Sequence, residues 1–209
     1  MTDTDMDTSA LIGNARAGDE SAMRQLLSRH RDRLRRMVAV HMDIRLAARF
    51  DPSDVVQDAM LEASQKLPGY LQKQPIAFYP WLRQIAWQRL VYLRQHHLAT
   101  QKRSVLREQQ WDLDLPDESV VRLADRLVAD GTNPSQRAIR EELCSRVRAA
   151  LDAMPLKDRQ VLILRYLEQL SAAEASQVIG ITEEAFMKRH FRAIQRIRRL
   201  LDGSSEDSK

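Results

Sequence analysis

A chain of 209 residues with a formal net charge of +4, six Gly, seven Pro and one Cys is long enough for one helical domain or two small ones. The single cysteine excludes an internal disulfide framework and a cysteine-based zinc site. No apolar run reaches the roughly 20 residues of a membrane span, and the mild basicity permits a nucleic-acid partner without requiring one.

The start, MTDTDMDTSA, is acidic and polar. It lacks the basic-then-apolar layout of a secretory signal and reads as a disordered tail (residues 1–10) on a cytoplasmic protein. Asp19 is placed to cap a long helix from Glu20, with Met23, Leu26, Leu27, Leu34, Met37 and Val38 on its inner side. Asp51, Pro52 and Asp54 supply a capping side chain, a proline at the first helical position and an acid in the first turn. The helix they start is predicted to end near Lys66, before Leu67-Pro68-Gly69. A further helix is predicted from about Phe78 to Leu98.

No acid lies between Glu62 and Glu108, whereas Lys66, Lys73, Arg83, Arg89, Arg94, Lys102, Arg103 and Arg107 all fall there. Phe78, Tyr79, Trp81, Trp87 and Tyr92 are interleaved with them. Cations that track a backbone, beside aromatics that stack on unpaired bases, are the chemistry of single-stranded DNA binding. For any one aromatic, core packing is the commoner role. Trp87, with Arg83 and Arg94 on its side of the helix, is the expected exception.

From Trp111 the balance reverses. Asp112, Asp114, Asp117, Glu118, Asp125 and Asp130 face only Arg122 and Arg126. Residues 111–135 therefore read as an acidic linker with a short helix near Val120 to Val128. Beyond it, helices are predicted from Gln136 to Met154 and from Lys157 to Glu168, with a break at Pro155.

The sharpest local pattern is QLSAAEASQVIGITEEAFMKRHFRAIQRIRRLL, residues 169–201. Ser171 with Glu174 forms a capping box, Gly180 supplies a permissive turn, and Thr182 caps a second helix with Glu183 and Glu184 in its first turn. That is a helix-turn-helix. At about 100° per residue, Lys188, Arg189, Arg192, Arg196 and Arg199 share an arc of about 100°, opposite Ala193, Ile194, Ile197, Leu200 and Leu201. A cationic strip on a packed helix suits phosphates and base edges in a major groove. Residues 202–209 form a polar tail.

Three segments taken together resemble the extracytoplasmic-function (ECF) class of bacterial sigma-70 family sigma factors, over roughly residues 8 to 201. DPSDVVQDAMLEA is similar to the family's D-x-x-D-x-V-Q-[DE] helix, which docks on the polymerase clamp. The resemblance gives that role to Asp54, Val56, Gln57 and Asp58. FYPWLRQIAWQRLVYLRQ is similar to the W-L-x-x-I-A-x-N segment that recognises and melts the minus-ten element. With the basic, aromatic reading above, it nominates Arg83, Gln84, Trp87, Gln88, Arg94, Lys102 and Arg103. MPLKDRQVLILRYLEQLSAAEASQVIGIT is similar to the family's fourth domain, whose helix-turn-helix reads the minus-thirty-five element. Thr182, Lys188, Arg189, Arg192, Arg196 and Arg199 are its candidates here.

The chain departs from the family at Gln88, where many members have Asn, and at Tyr92, where Asp often follows. In the recognition helix AFMKRHFRA replaces T-V-K-S-R-L-H-R-A, so that Met187 stands at the usual Lys position.

The resemblance implies an all-α chain of two small helical domains joined by the acidic linker, the C-terminal one holding the helix-turn-helix. Residues 11–110 would be second-domain-like and 136–201 fourth-domain-like. Core RNA polymerase and promoter DNA are the implied partners, with room for an anti-sigma protein, and carboxylates in the linker would imitate nucleic acid in the polymerase channels. No P-loop, G-x-S-x-G or metal-ligand spacing is present, and His30, His41, His96, His97 and His190 form no triad. No catalytic site, metal, cofactor, membrane anchor or small-molecule substrate is therefore expected. The competing reading, a dimeric helix-turn-helix repressor or activator, explains the C-terminal third but leaves the first two segments idle.

Overall fold

The computed structural model describes residues 3–42, 44–98, 119–121, 123 and 137–203. Among them every regular element is helical, as the sequence leads one to expect. The chain divides into two compact units, Met1–Arg103 and Ser104–Lys209.

The first unit begins with α1 (Asp3–Arg16), so most of the segment read as a disordered tail is helical. Residues 3–16 pack on α2 (Glu20–Arg29), where Asp7 pairs with Arg29 at 2.7 Å. Asp19 does cap α2, accepting from the backbone N–H groups of Ser21 and Ala22. The single long helix expected after it is two. The chain tightens at His30, whose N–H reaches back three residues to the Leu27 carbonyl, and resumes as α3 (Arg31–His41). Burial of the His30 ring against Phe78 and Tyr79, at 5.3 and 5.8 Å, accompanies the break.

A short α4 (Ile44–Ala47) leads to α5 (Pro52–Lys73). At its start the Asp51 carboxylate accepts from Ser53 N–H at 2.7 Å, and Asp54 accepts from Asp51 N–H at 3.3 Å. The expected stop at Leu67-Pro68-Gly69 does not occur, because the helix runs through Pro68. A proline there removes one backbone bond, but Leu67, Tyr70 and Leu71 are all buried by continuing. The helix end is held by Arg16, which donates to the Leu71 carbonyl at 2.9 Å, and by Gln74 in the left-handed region at φ 37°. Burial pushes the Tyr70 hydroxyl up to about 12, and that hydroxyl donates to the Ile76 carbonyl. Then α6 (Phe78–Leu98) packs along α5, with α3 against both.

In the second unit α7 (Arg137–Ala153) precedes the break at Pro155 and α8 (Leu156–Leu162). A π turn follows at Ile163–Leu167, where one helix to Glu168 was expected. It closes with Glu168 N–H on the Ile163 carbonyl at 3.0 Å. The wider turn keeps Ile163, Leu164, Leu167 and Leu170 all buried. Next come α9 (Ala172–Ile179) and α10 (Glu183–Gly203). Asp202 and Gly203, expected in the tail, are its last residues. Helices α7, α8 and α9 all pack on α10. The acidic stretch 111–135 lies outside the described residues except for Ser119, Val120, Val121 and Leu123, which are helical.

Candidate nucleic-acid interface

The α9–α10 pair is built by short-range bonds. Ser171 Oγ accepts from Glu174 N–H at 3.1 Å, while Glu174 accepts from Ser171 N–H at 2.9 Å. Gly180 ends α9 at φ 69°, a backbone state that costs other residues energy. Thr182 Oγ1 then accepts from Ala185 N–H at 3.2 Å and starts α10. Phe186, Ala193 and Ile197 fill the inward side of α10.

The five expected cations do not stand alike. Arg192 and Arg199 are exposed, each laying its Nε on the carbonyl four residues back at 3.3 Å. Lys188 is exposed and paired with Glu184 at 2.5 Å, a contact worth little in water. Arg189 is half-buried. Arg196 is turned toward α8 and pairs with Asp158, so it belongs to the scaffold as much as to the outward face. On α10 itself, burial and then the charge of Arg165 hold the half-buried His190 below the usual imidazole range.

On α6 the structure corrects the expectation for two residues. Arg83 and Trp87 are 3% and 6% exposed. Trp87 meets His41 edge-on at 5.0 Å, and the Arg83 guanidinium lies 5.4 Å over the Trp87 ring. Both are interior because α3 and α4 cover that side of α6, and neither offers a surface to DNA here. Gln84 and Gln88 are exposed and Arg94 is half-buried. Lys102 and Arg103 lie outside the described residues.

Among the described residues of α6 the exposed aromatic is Tyr92, at 48%. It stands 5.0 Å from His96 and under the Arg89 guanidinium at 5.3 Å. Gln84, Gln88, Tyr92 and His96 follow at four-residue spacing, so one outward strip runs along α6. That spacing is visible in the sequence, but the more conspicuous tryptophan and arginine draw attention to another side.

On α5, Asp54, Gln57 and Asp58 are exposed as expected, whereas Val56 is fully buried with Val55 and Ala59. Val56 therefore packs the core and does not reach the surface assigned to it. Leu61 is exposed there as well, at 62%, one turn beyond Gln57 and Asp58, and a single apolar side chain in water is ordinary for a protein surface. Asp58 is tied to α6 through Arg89, 2.6 Å away. Among the described residues no helix is long and apolar enough to cross a membrane.

A family model described as "Sigma-70, region 4" matches residues 144–197, which take in α8, α9 and most of α7 and α10. ECF RNA polymerase sigma factor SigD of Mycobacterium tuberculosis is 30% identical over 190 residues, 90% of this chain and 81% of that protein. ECF RNA polymerase sigma-E factor of Escherichia coli K12 is 27% identical over 187 residues, 90% of each. Among solved structures, that of CnrH in complex with the cytosolic domain of CnrY is similar in fold, with a TM-score of 0.52 at 23% identity. It covers 94% of this chain and 98% of that one. With a 30% identical relative matched over most of both lengths, this chain belongs to the ECF class of RNA polymerase sigma factors.

Proposed function

We propose that this chain docks on core RNA polymerase through the exposed face of α5 and directs initiation at promoters in the cytoplasm, reading DNA with α10 and α6. The observation that carries the reading is α10 itself: a Thr182-capped helix, packed on one side, with Lys188, Arg192 and Arg199 outward. Recognition helices place their first turns on base edges and later residues on phosphates. Lys188, Arg189 and Arg192 would therefore set preference at the minus-thirty-five element, and Arg199 would supply affinity. The strip Gln84, Gln88 and Tyr92, with the Arg89 guanidinium over the Tyr92 ring, is suited to the minus-ten strand: amides for base edges and a ring for stacking. Asp54, Gln57 and Asp58 would meet the polymerase. The helix-turn-helix unit and the first unit thus have separate tasks, and catalysis is the polymerase's.

The test is run-off transcription with core enzyme on genomic fragments. Start sites that appear only when this protein is added are the expected result. Start sites indifferent to it would overturn the reading, and promoter binding without any affinity for core would favour an ordinary regulator.

A further inference from the structure

The recognition helix carries two large apolar side chains where water reaches them. Met187 and Phe191 are 49% and 63% exposed, and their four-residue spacing sets one above the other on a single flank of α10. The core has no use for them, since Phe186, Ala193 and Ile197 already occupy the inward side. At about 100° per residue, Lys188, Arg192 and Arg199 lie to one side of the outward centre, and Met187 and Phe191 lie to the other. In the first half of α10 the exposed arc thus has a cationic side and an apolar side, and the exposed Arg198 joins the apolar side only about two turns beyond Phe191.

An apolar protein groove would match only the apolar side and would strip water from the arginines without return. A DNA major groove matches both. Its phosphates suit the cations, and its one apolar feature is the 5-methyl group of thymine.

We infer that Met187 and Phe191 form a methyl-reading flank, so that the preferred upstream element carries 5-methylpyrimidines (thymine in ordinary DNA) at neighbouring steps beneath the first half of α10. The inference rests on α10 being the helix that reads the minus-thirty-five element. The two side chains divide the work physically. Phe191 is stiff and presents a broad face, while the Met187 thioether adapts to the shape beside it. Neither has a strong polar atom, so a G·C pair at the same step leaves base-edge donors and acceptors facing hydrocarbon. Covering one methyl group is worth about a fourfold change in affinity.

The test uses holoenzyme assembled from the full chain and core polymerase. An upstream element is first enriched from randomised duplex and then resynthesised with uracil for thymine at one position at a time, which removes the methyl group alone. Binding is expected to weaken about fourfold at each step that the flank covers, and 5-methylcytosine is expected to outbind cytosine at those steps. The Met187→Ala/Phe191→Ala variant is expected to bind thymine and uracil elements alike while keeping the salt slope set by Arg192 and Arg199. Both replacements are at exposed helical positions that favour Ala. Equal binding of thymine and uracil elements by the unaltered holoenzyme would overturn the inference, as would a double variant that keeps the thymine preference. A holoenzyme that enriches no upstream element at all is a different failure, that of α10 as the reading helix.

Discussion

Arg89 reaches from α6 to Asp58 on α5, with Nη2 2.6 Å and Nε 3.1 Å from the same carboxylate oxygen. Both side chains are partly in water, so the pair itself stabilises the fold by about 1 kcal/mol at most. Its placement has more consequence, since one partner lies on the proposed docking face and the other lies over Tyr92. Replacing Gln57 and Asp58 together with Ala is expected to weaken core binding by about 1 to 3 kcal/mol per lost contact, with helicity unchanged. Arg89→Ala is expected to change core affinity by less than about 1 kcal/mol. Titration of core against labelled protein checks both. Unchanged affinity in the Gln57/Asp58 variant would count against docking through this face.

Pro68 sits inside α5 at an exposed position. Pro68→Ala restores a backbone donor and removes a clash with the preceding turn, which is expected to raise stability by roughly 1 to 3 kcal/mol. Urea melts of the two proteins measure it. An unchanged or lower midpoint would mean that the helix bends at Pro68 in a way that the packing of Tyr70 and Leu71 requires.

The Asp51 cap is expected to make α5 sensitive to acid. Hydrogen bonds from Ser53, backbone first, hold the Asp51 carboxyl below its ordinary value, with a smaller contribution from Arg35. A carboxylate with a depressed folded pKa contributes stability above its unfolded value, near 3.9, and loses it as pH falls through the folded value. Asp51→Ala is therefore expected to be less stable at pH 7, with the difference closing below about pH 4. Asp51→Asn caps without titrating and is expected to keep its stability as the unaltered protein loses part of its own. Parallel acid titrations followed by circular dichroism decide the matter.

The cations of α10 are expected to separate into three behaviours. Arg189→Ala should cost roughly 1 to 3 kcal/mol on the preferred element and relax discrimination there. Arg199→Ala should weaken all sequences alike and make the salt slope shallower by about one. Arg196→Ala should chiefly lower the stability of the second unit, because it strands Asp158, which is mostly buried. Holoenzyme binding at several salt concentrations, with thermal melts beside it, reads all three. Identical sequence-independent losses for Arg189 and Arg199 would make the helix a phosphate clamp only.

The helix-turn-helix and the start of α5 were legible in the sequence because their determinants are local. A Ser, Thr or Asp bonds to a backbone N–H two or three residues on, and nothing distant has to be known. Burial within α6 was not legible in the same way. Apolar and aromatic residues occur around most of that helix, and which of them is covered depends on where α3 and α4 lie. Hence Trp87 and Arg83 were expected outside and lie inside, while Tyr92 does the reverse. The break at His30 and the run through Pro68 likewise turn on what distant residues bury, and local preference at those positions points the other way.

The π turn at Ile163–Leu167 holds one residue more than an α turn would in the same place. Removing one residue there is expected to restore the narrower α spacing while the chain after it stays nearly in place, because the wider turn takes up five residues in about the arc and rise of four α residues. The loss would fall on the turn's own buried side chains, Ile163, Leu164 and Leu167, and α10 would keep its bed on α8. Exchanges among Leu, Ile and Met keep volume and should be absorbed, so libraries built on this protein can vary those buried side chains and can also sample the segment one residue shorter.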